Sequence, residues 1–294
     1  MRMTSECVHC VIEQMDRYFM RFVGNDENKR VSFLKQVCAT VGAVDEETPS
    51  PPVSAELMDI IAREAGQEDL FKEEKHLFNQ VILEMEGNIK SHIEAADDKL
   101  CRALQYAMAG NYIDFGLVAA VSKDKLNELI ESAPDMDLGP ALDRFRNDIE
   151  KARSLVYILD NCGEVVFDKM CMETMKTLYP SLRITALVRG MPTYNDVTSE
   201  DAHEVRLDEV VPVVGNGDNI PGTMLSSISD EARELLENAD VIVSKGMGNC
   251  ETLLGCGLNI YYMLLCKCDR FMREFQKPRF ASIFFADADE AGRH

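Results

Sequence analysis

Hydrophobic positions recur at helical spacing through the first half of the chain. Leu70, Leu77, Val81, Met85 and Ile89 lie four or seven residues apart in a charged stretch, which predicts one long amphipathic helix. Similar spacing predicts further helices at 5–23, 28–43, 54–66, 98–110 and 122–132. The beginning of the chain is therefore expected to be helical.

Prolines interrupt this helical pattern at two places. The stretch TPSPP at 48–52 is one, and the stretch from Pro134 to Pro140 is the other. Proline ends a helix because it lacks an N–H group, and it biases the residue before it toward extended structure. Both stretches are therefore predicted to separate helices.

After residue 152 short apolar runs alternate with helical segments. SLVYILD at 154–160 is apolar until its last residue, as is typical of a strand buried on both faces. Further strands are predicted at 183–188, 209–214, 240–244 and 281–285, and helices at about 165–179, 198–204, 230–238 and 250–265. This alternation predicts an α/β domain with a mainly parallel sheet at 152–294, preceded by an all-helical subdomain at 1–151.

Composition and charge exclude several classes of protein. The net charge of −20 argues against nucleic-acid binding, which requires basic patches. The N-terminus has no apolar signal-peptide core, and no stretch reaches the roughly 18 apolar residues of a membrane span, so we expect a cytoplasmic location. The ten cysteines are then expected to be thiols or metal ligands. An anionic substrate would need local positive charge. The oligomeric state stays open.

Polar loops follow four successive predicted strands. DNCGE (160–164) follows the first, RGMPTYND (189–196) the second, GNGDNIPG (215–222) the third and KGMGNCE (245–251) the fourth. Ligands of open α/β sheets bind beyond the carboxyl ends of the strands. Four such loops on one edge therefore predict a binding site.

The residue types in these loops favour a metal and a phosphate group. Asp160, Asn161 and Asp196 offer oxygen ligands that suit Mg²⁺ or Mn²⁺. The charge of Lys245 and the backbone N–H groups of a glycine loop after it could bind an anion. Each feature also has an ordinary structural explanation, since Asp and Asn commonly form turns and helix caps.

Three known phosphate or nucleotide motifs do not fit these loops. The P-loop pattern G-x-x-x-x-G-K-[ST] is absent, and Gly215, Gly217 and Gly222 do not form G-x-G-x-x-G. The D-x-D-x-[TV] pattern of covalent aspartate phosphatases fails because Cys162 occupies its second aspartate position. Any phosphate site here is of another kind.

Several segments resemble signatures of the damage-control phosphatase family, also known as domain of unknown function 89 and as acidic-residue methyltransferase-like proteins. The main ones are DNCGE (160–164), VRGMPTYND (188–196), NGDNIPGT (216–223) and KGMGNCETL (245–253). Further ones are AGNYIDFG (109–116) and two features of the microbial branch, CVHC (7–10) and KCD (267–269). The resemblance covers nearly the whole chain.

The resemblance implies a fold and an activity. The fold is a three-layer α/β domain with a helical N-terminal portion packed on it. The activity is metal-dependent hydrolysis of small phosphorylated metabolites, often sugar phosphates, with one Mn, Co, Ni or Mg ion as cofactor.

The resemblance also implies roles for individual residues. Asp160, Asn161 and Asp196 match the metal ligands, and the catalytic residues would be Asp160, Asp196 and Lys245, the last as a phosphate-contacting lysine. The other residues expected at the substrate or phosphate are Asn111, Asp114, Glu164, Arg189, Gly246, Gly248, Asn249 and Glu251. Cys162 and Cys250 occupy variable positions of the family motifs, and we expect small buried side chains there.

The attacking group is left open between two alternatives. One is a water molecule activated by the metal, whose pKa falls on coordination. The other is Asp160, which would form a phospho-aspartate. Metal binding weakens a carboxylate as a nucleophile, which favours water.

The pair Cys7 and Cys10 allows three interpretations. C-x-x-C is half of a zinc site or a redox pair. Helical spacing also puts both thiols on one helix face, where they could simply pack, with His9 toward solvent.

Two rival functions follow from these features and from the family labels. One is an S-adenosylmethionine-dependent carboxyl methyltransferase, although DNCGE has a single glycine. The other is a non-catalytic metal or redox module, which leaves the four polar loops unexplained.

Overall fold

A six-stranded sheet lies at the centre of the computed structural model, which describes residues 1–113 and 123–290. Its spatial order is β3-β2-β1-β4-β5-β6, with all neighbours parallel except β5 and β6. The strands are β1 (Ser154–Ile158), β2 (Arg183–Val188), β3 (Val213–Gly215), β4 (Val241–Lys245), β5 (Ile260–Leu265) and β6 (Ser282–Ala286). The predicted α/β fold with a mainly parallel sheet is confirmed.

Helices precede the sheet and connect its strands. Before β1 they are α1 (Ser5–Phe22), α2 (Glu27–Ala43), α3 (Ser50–Ala65), α4 (Lys72–Leu83), α5 (Glu86–Glu94), α6 (Lys99–Gly110), α7 (Lys123–Ser132) and α8 (Ala141–Lys151). After β1 they are α9 (Glu164–Leu178), α10 (Ser199–Glu204), α11 (Asp230–Glu237), α12 (Gly246–Leu253), α13 (Asp269–Glu274) and α14 (Asp287–Glu290). The described part of the chain contains no helix long and apolar enough to span a bilayer.

Local residue choice explains where α3 begins and ends. Pro51 and Pro52 follow Ser50 in the first turn, where a helix leaves N–H groups without partners and proline costs little. Gly66 ends the helix with a φ of +69°, a left-handed conformation that glycine adopts readily. The TPSPP stretch thus separates two helices and also starts the second.

The prediction of one long helix around 70–89 is wrong. The structure has α4 and α5 there, separated at Glu84 and Met85. The N–H of Met85 bonds to the carbonyl of Ile82, three residues back, so the α-helical hydrogen-bond pattern is interrupted. Both helices keep an apolar face, which is why the spacing looked continuous.

The prediction of a helix through 250–265 is also wrong in its second part. Helix α12 ends at Leu253, and the chain returns as the buried strand β5. Gly255 and Gly257, with φ of +80° and +85°, make the turn between them. A short apolar run does not distinguish a buried strand from a buried helix by periodicity.

Alternate residues of the strands pack on opposite faces, which gives the sheet two covering layers. Leu155 and Tyr157 of β1 join a core with α5, α6, α8 and α9, whereas Val156 and Ile158 join one with α11, α12 and α13. A third core holds α1, α2 and α3 together. The first core includes side chains from both halves of the chain, so the boundary at 151/152 stays a prediction.

Candidate active site

The strand order reverses between β1 and β4, and the predicted ligands lie at this point. Asp160 and Asn161 follow the carboxyl end of β1, and α12 begins at Gly246 directly after β4. Where neighbouring parallel strands continue to opposite sides, their carboxyl ends leave a crevice that open α/β proteins use for ligands.

Backbone pairing joins the first two polar loops. Asn161 and Asp196 form an antiparallel bridge. The N–H of Val197 donates to the carbonyl of Asp160 at 2.9 Å, and the N–H of Cys162 donates to the carbonyl of Asn195 at 2.8 Å. The three predicted metal ligands are therefore brought together by main-chain hydrogen bonds.

The carboxylate of Asp160 accepts hydrogen bonds from two side-chain amides and lies close to a glycine. Its Oδ2 accepts from Nδ2 of Asn161 at 2.7 Å and from Nδ2 of Asn111 at 3.2 Å. A Cβ atom on Gly246, whose φ is +79°, would lie 2.0 Å from the same oxygen. Gly246 is thus required for the close approach of α12 to Asp160.

Burial and neighbouring charges change the pKa of Asp160. Burial raises the pKa of this carboxyl well above its usual range, and the carboxylates of Asp196 and Glu164 raise it further. Lys267 and Arg189 act in the opposite direction. The site therefore combines several carboxylates with buried cations in a poorly solvated place.

This donor set fits a hard divalent cation in part. Within 1–113 and 123–290, no group of three or more His, Cys, Asp or Glu side chains is arranged to hold a metal. The predicted set has two carboxylates, whose repulsion a cation would offset, and one amide. Oδ1 of Asn161 accepts from Nδ2 of Asn195 at 2.7 Å, which leaves the second lone pair of this oxygen for an ion. The ligand set stays a prediction.

Arg189 is bound within the protein. Its Nε donates to Oδ2 of Asp196 at 2.7 Å, and its Nη atoms donate to Thr223 and Asn249 at 3.2 and 3.1 Å. The side chain is only 1% exposed. Arg189 thus fixes the direction of Asp196, and its contact with substrate stays a prediction.

Lys245 is likewise enclosed. It is fully buried, and its Nζ donates to the carbonyl of Ala107, to Asp168 and to Glu164. An ammonium group has three N–H donors. All three are engaged by protein acceptors here, so the expected phosphate contact is not visible in this arrangement.

The rest of the Lys245 loop packs against its neighbours. A Cβ on Gly248 would lie 2.0 Å from the carbonyl oxygen of Pro221, so this glycine allows the third polar loop to approach α12. Nδ2 of Asn249 donates to the carbonyls of Leu159 and Lys245. The structure therefore gives Gly248 and Asn249 packing roles, and their expected phosphate contacts stay predictions.

The other expected substrate residues lie in different places. Asn111 joins the site, since its Nδ2 reaches both Asp160 and Glu164. Glu251 instead accepts from Ser50 at 2.6 Å and pairs with Arg270 at 3.6 Å, on the side of α12 that meets α3. Asp114 lies outside the described residues.

The cysteines of the motifs are free thiols. Cys162 and Cys250 are fully buried in the two sheet cores, as expected for small apolar side chains. Cys7 accepts a hydrogen bond from Arg270 at 3.5 Å, and His9 is exposed as expected. A structural metal or redox role for Cys7 and Cys10 stays a prediction.

Sequence reasoning missed the buried cation Lys267. It follows β5 and is 3% exposed, and its charge lowers the pKa of Asp160 more than the charge of Arg189 does. Because 250–265 was predicted to be a helix, this lysine was not assigned to the edge where the other strands end. A lysine directly after the apolar run 260–266 was the available signal.

Comparisons with known proteins extend over nearly the whole chain. Residues 3–283 match the family model described as the damage-control phosphatase ARMT1-like domain. An uncharacterized protein of Methanocaldococcus jannaschii is 30% identical over 275 residues, covering 90% of this chain and 88% of that protein. A protein of Archaeoglobus fulgidus named damage-control phosphatase is 30% identical over 287 residues, covering 93% and 95%. The crystal structure of a DUF89 family protein from Pyrococcus horikoshii has a TM-score of 0.83 at 25% identity, covering 98% of this chain and 99% of that one.

Proposed function

The chain belongs to the damage-control phosphatase ARMT1-like family, and we propose that it is a metal-dependent phosphatase that hydrolyses small phosphorylated metabolites. Relatives from Archaeoglobus fulgidus and Pyrococcus horikoshii carry the name damage-control phosphatase. Phosphomonoesters, and sugar phosphates among them, are the proposed substrate class.

The observation that carries this proposal is the meeting of Asp160, Asn161 and Asp196 where the strand order reverses. Two loops far apart in sequence are joined by the bridge between Asn161 and Asp196. The raised pKa of Asp160 reflects carboxylates crowded in a buried place. Such crowding costs stability unless a cation offsets it, so it is expected where a metal binds.

The proposed roles follow from these contacts. Asp160, Asn161 and Asp196 would hold one Mn, Co, Ni or Mg ion, which when bound would polarise the phosphoryl group and activate water. Arg189 holds Asp196 in place. Lys267, whose charge acts on Asp160, would attract the negative phosphoryl group into the crevice.

The test of the function is metal-dependent hydrolysis of para-nitrophenyl phosphate. After chelation and dialysis, activity is expected to be lost, because two close carboxylates cannot by themselves stabilise a phosphoryl anion. Adding back Mn²⁺, Co²⁺, Ni²⁺ or Mg²⁺ should restore it. Release of inorganic phosphate from a panel of sugar phosphates, with the same four ions, would then define the substrate class.

Two results would contradict the proposal. One is hydrolysis that is unchanged after complete removal of metal. The other is inactivity with all four ions combined with tight S-adenosylmethionine binding by calorimetry, which would favour a methyltransferase.

Replacing Lys267 by Met is expected to weaken substrate binding more than turnover. Loss of a charge that attracts phosphate should raise the KM for para-nitrophenyl phosphate and the Ki for inorganic phosphate by about tenfold. Lys277→Met, at an exposed lysine beyond α13, is the matched control and should leave both constants unchanged. Unchanged KM and Ki in Lys267→Met would remove this lysine from the phosphate site.

A further inference from the structure

The ammonium group of Lys245 contacts only buried protein groups among those that the structure describes. Its Nζ lies 2.6 Å from Glu164, 2.6 Å from Asp168 and 2.8 Å from the carbonyl of Ala107, which accounts for its three donors. Turning one N–H toward a ligand would break a fully buried hydrogen bond to a carboxylate or a carbonyl, which is costly.

Glu164 connects Lys245 to the predicted metal ligands through hydrogen bonds. Its carboxylate accepts from Nδ2 of Asn161 at 2.7 Å and from Nδ2 of Asn111 at 3.1 Å. The same two amide nitrogens contact Oδ2 of Asp160. A continuous set of hydrogen bonds thus runs from Lys245 through Glu164 to the carboxylate of Asp160.

Asp168 and Tyr157 form the inner end of this network. The hydroxyl of Tyr157 donates to Oδ1 of Asp168 at 2.7 Å, the oxygen that also accepts from Lys245. Oδ2 of Asp168 has no hydrogen-bond partner among the described residues. Burial raises the pKa of this carboxyl to about 7, against the opposing effect of Lys245. Asp168 and Tyr157 are fully buried, so their influence on the crevice passes through Lys245.

We propose that Lys245 is a positioning residue that, supported by Asp168 and Tyr157, holds Glu164 and thereby orients Asn161 and Asp160 toward the metal. This assignment rests on the proposed function and replaces the expected contact between Lys245 and the phosphoryl group. Lys245 itself touches neither substrate nor metal.

The experiment compares Lys245→Met, Asp168→Asn and their combination in the full chain. Two measurements are made on each variant. The first is Mn²⁺ affinity by titration calorimetry, which needs no turnover. The second is hydrolysis of para-nitrophenyl phosphate at saturating Mn²⁺, with inorganic phosphate as the competing ligand.

The expected results separate positioning from phosphate contact. In Lys245→Met, Mn²⁺ affinity should fall about tenfold and kcat about 100-fold, while the Ki for phosphate changes less than about threefold. Asp168→Asn should shift Mn²⁺ affinity and kcat in the same direction by a smaller factor. The double variant should be no worse than Lys245→Met alone, since both changes act through one network.

Lys169→Met is the matched control for losing a buried lysine. Lys169 lies on the buried face of α9. Its Nζ pairs with Glu86 at 2.9 Å and donates to the carbonyl of Val205 at 2.8 Å. These contacts do not involve the Asp160 network. Its loss is expected to lower the Tm and leave Mn²⁺ affinity and the Ki for phosphate unchanged.

Three outcomes decide the proposal. A Ki for phosphate raised tenfold or more in Lys245→Met, with Mn²⁺ affinity unchanged, would overturn it and restore the phosphate contact. If Lys245→Met does not fold, wild-type Mn²⁺ affinity in Asp168→Asn would overturn it. If the wild-type chain binds Mn²⁺ without hydrolysing any phosphate ester, the proposed function fails, and weaker Mn²⁺ binding in the variants still supports the positioning role.

Discussion

Asp160→Asn is expected to reduce phosphatase activity by about 10³-fold, which corresponds to about 4 kcal/mol of transition-state stabilisation. The substitution keeps the size of the side chain and removes the charge that the proposed metal ion needs. The ion and its effect on the phosphoryl group should be lost together. Activity with para-nitrophenyl phosphate across a range of Mn²⁺ concentrations measures this loss.

The same substitution should not harm the metal-free fold. Burial and two neighbouring carboxylates raise the pKa of Asp160, so its ionised form is disfavoured in the folded protein. Removing the charge relieves this repulsion, and the Tm without metal should be equal to or above that of wild type. The increase in Tm on adding Mn²⁺, expected for the wild type, should disappear.

Asp208→Asn is a suitable control, because Asp208 pairs with His203 at the surface, and its activity should be that of wild type. An Asp160→Asn protein with wild-type kinetics would remove Asp160 from the mechanism.

Acid quenching during turnover of a substrate labelled in its phosphate tests whether Asp160 is the nucleophile. Covalent phosphate on Asp160 would identify it as the nucleophile, and its absence would favour water.

Gly246→Ala is expected to reduce activity by about 10²-fold, because the Cβ must displace Asp160 from its place among the proposed ligands. That Cβ would lie 2.0 Å from Oδ2 and 2.3 Å from Cγ of Asp160. The carboxylate is held by Asn161 and Asn111, so it cannot move without breaking these hydrogen bonds. Activity and Mn²⁺ affinity should therefore fall together.

Gly255→Ala separates this clash from backbone strain. Gly255 has a φ of +80°, nearly that of Gly246, but a Cβ there would meet no atom within 4 Å. Its substitution should lower the free energy of unfolding by about 1 kcal/mol and leave activity unchanged. Equal loss of activity in both variants would show that backbone strain, and not contact with Asp160, limits position 246.

Much of the fold and the place of the site could be predicted from the sequence. The runs at 154–160 and 183–188 alternate with helical segments, and such alternation permits few topologies other than a parallel sheet. Asp160 and Asp196 were expected to meet because the carboxyl ends of parallel strands lie at one edge. The bridge between Asn161 and Asp196 agrees with that expectation.

Strand β5 could not be predicted, and this error hid Lys267. IYYMLL is apolar throughout, so neither a period of two nor one of 3.6 residues is visible in it. Only pairing with β4 and β6 decides that the segment is a strand. That pairing also carries Lys267 to the edge where Asp160 lies.

The sequence alone determined most of the residue types that gather at the carboxyl edge of the sheet, because short apolar runs that alternate with helical segments predict the strands and the loops that follow them. Tertiary structure decided what each side chain does there. Lys245 directs its charge inward to Glu164 and Asp168, and Glu251 meets Ser50 and Arg270 on the far side of α12. Side-chain direction depends on which helices cover each face, and those helices come from distant parts of the chain.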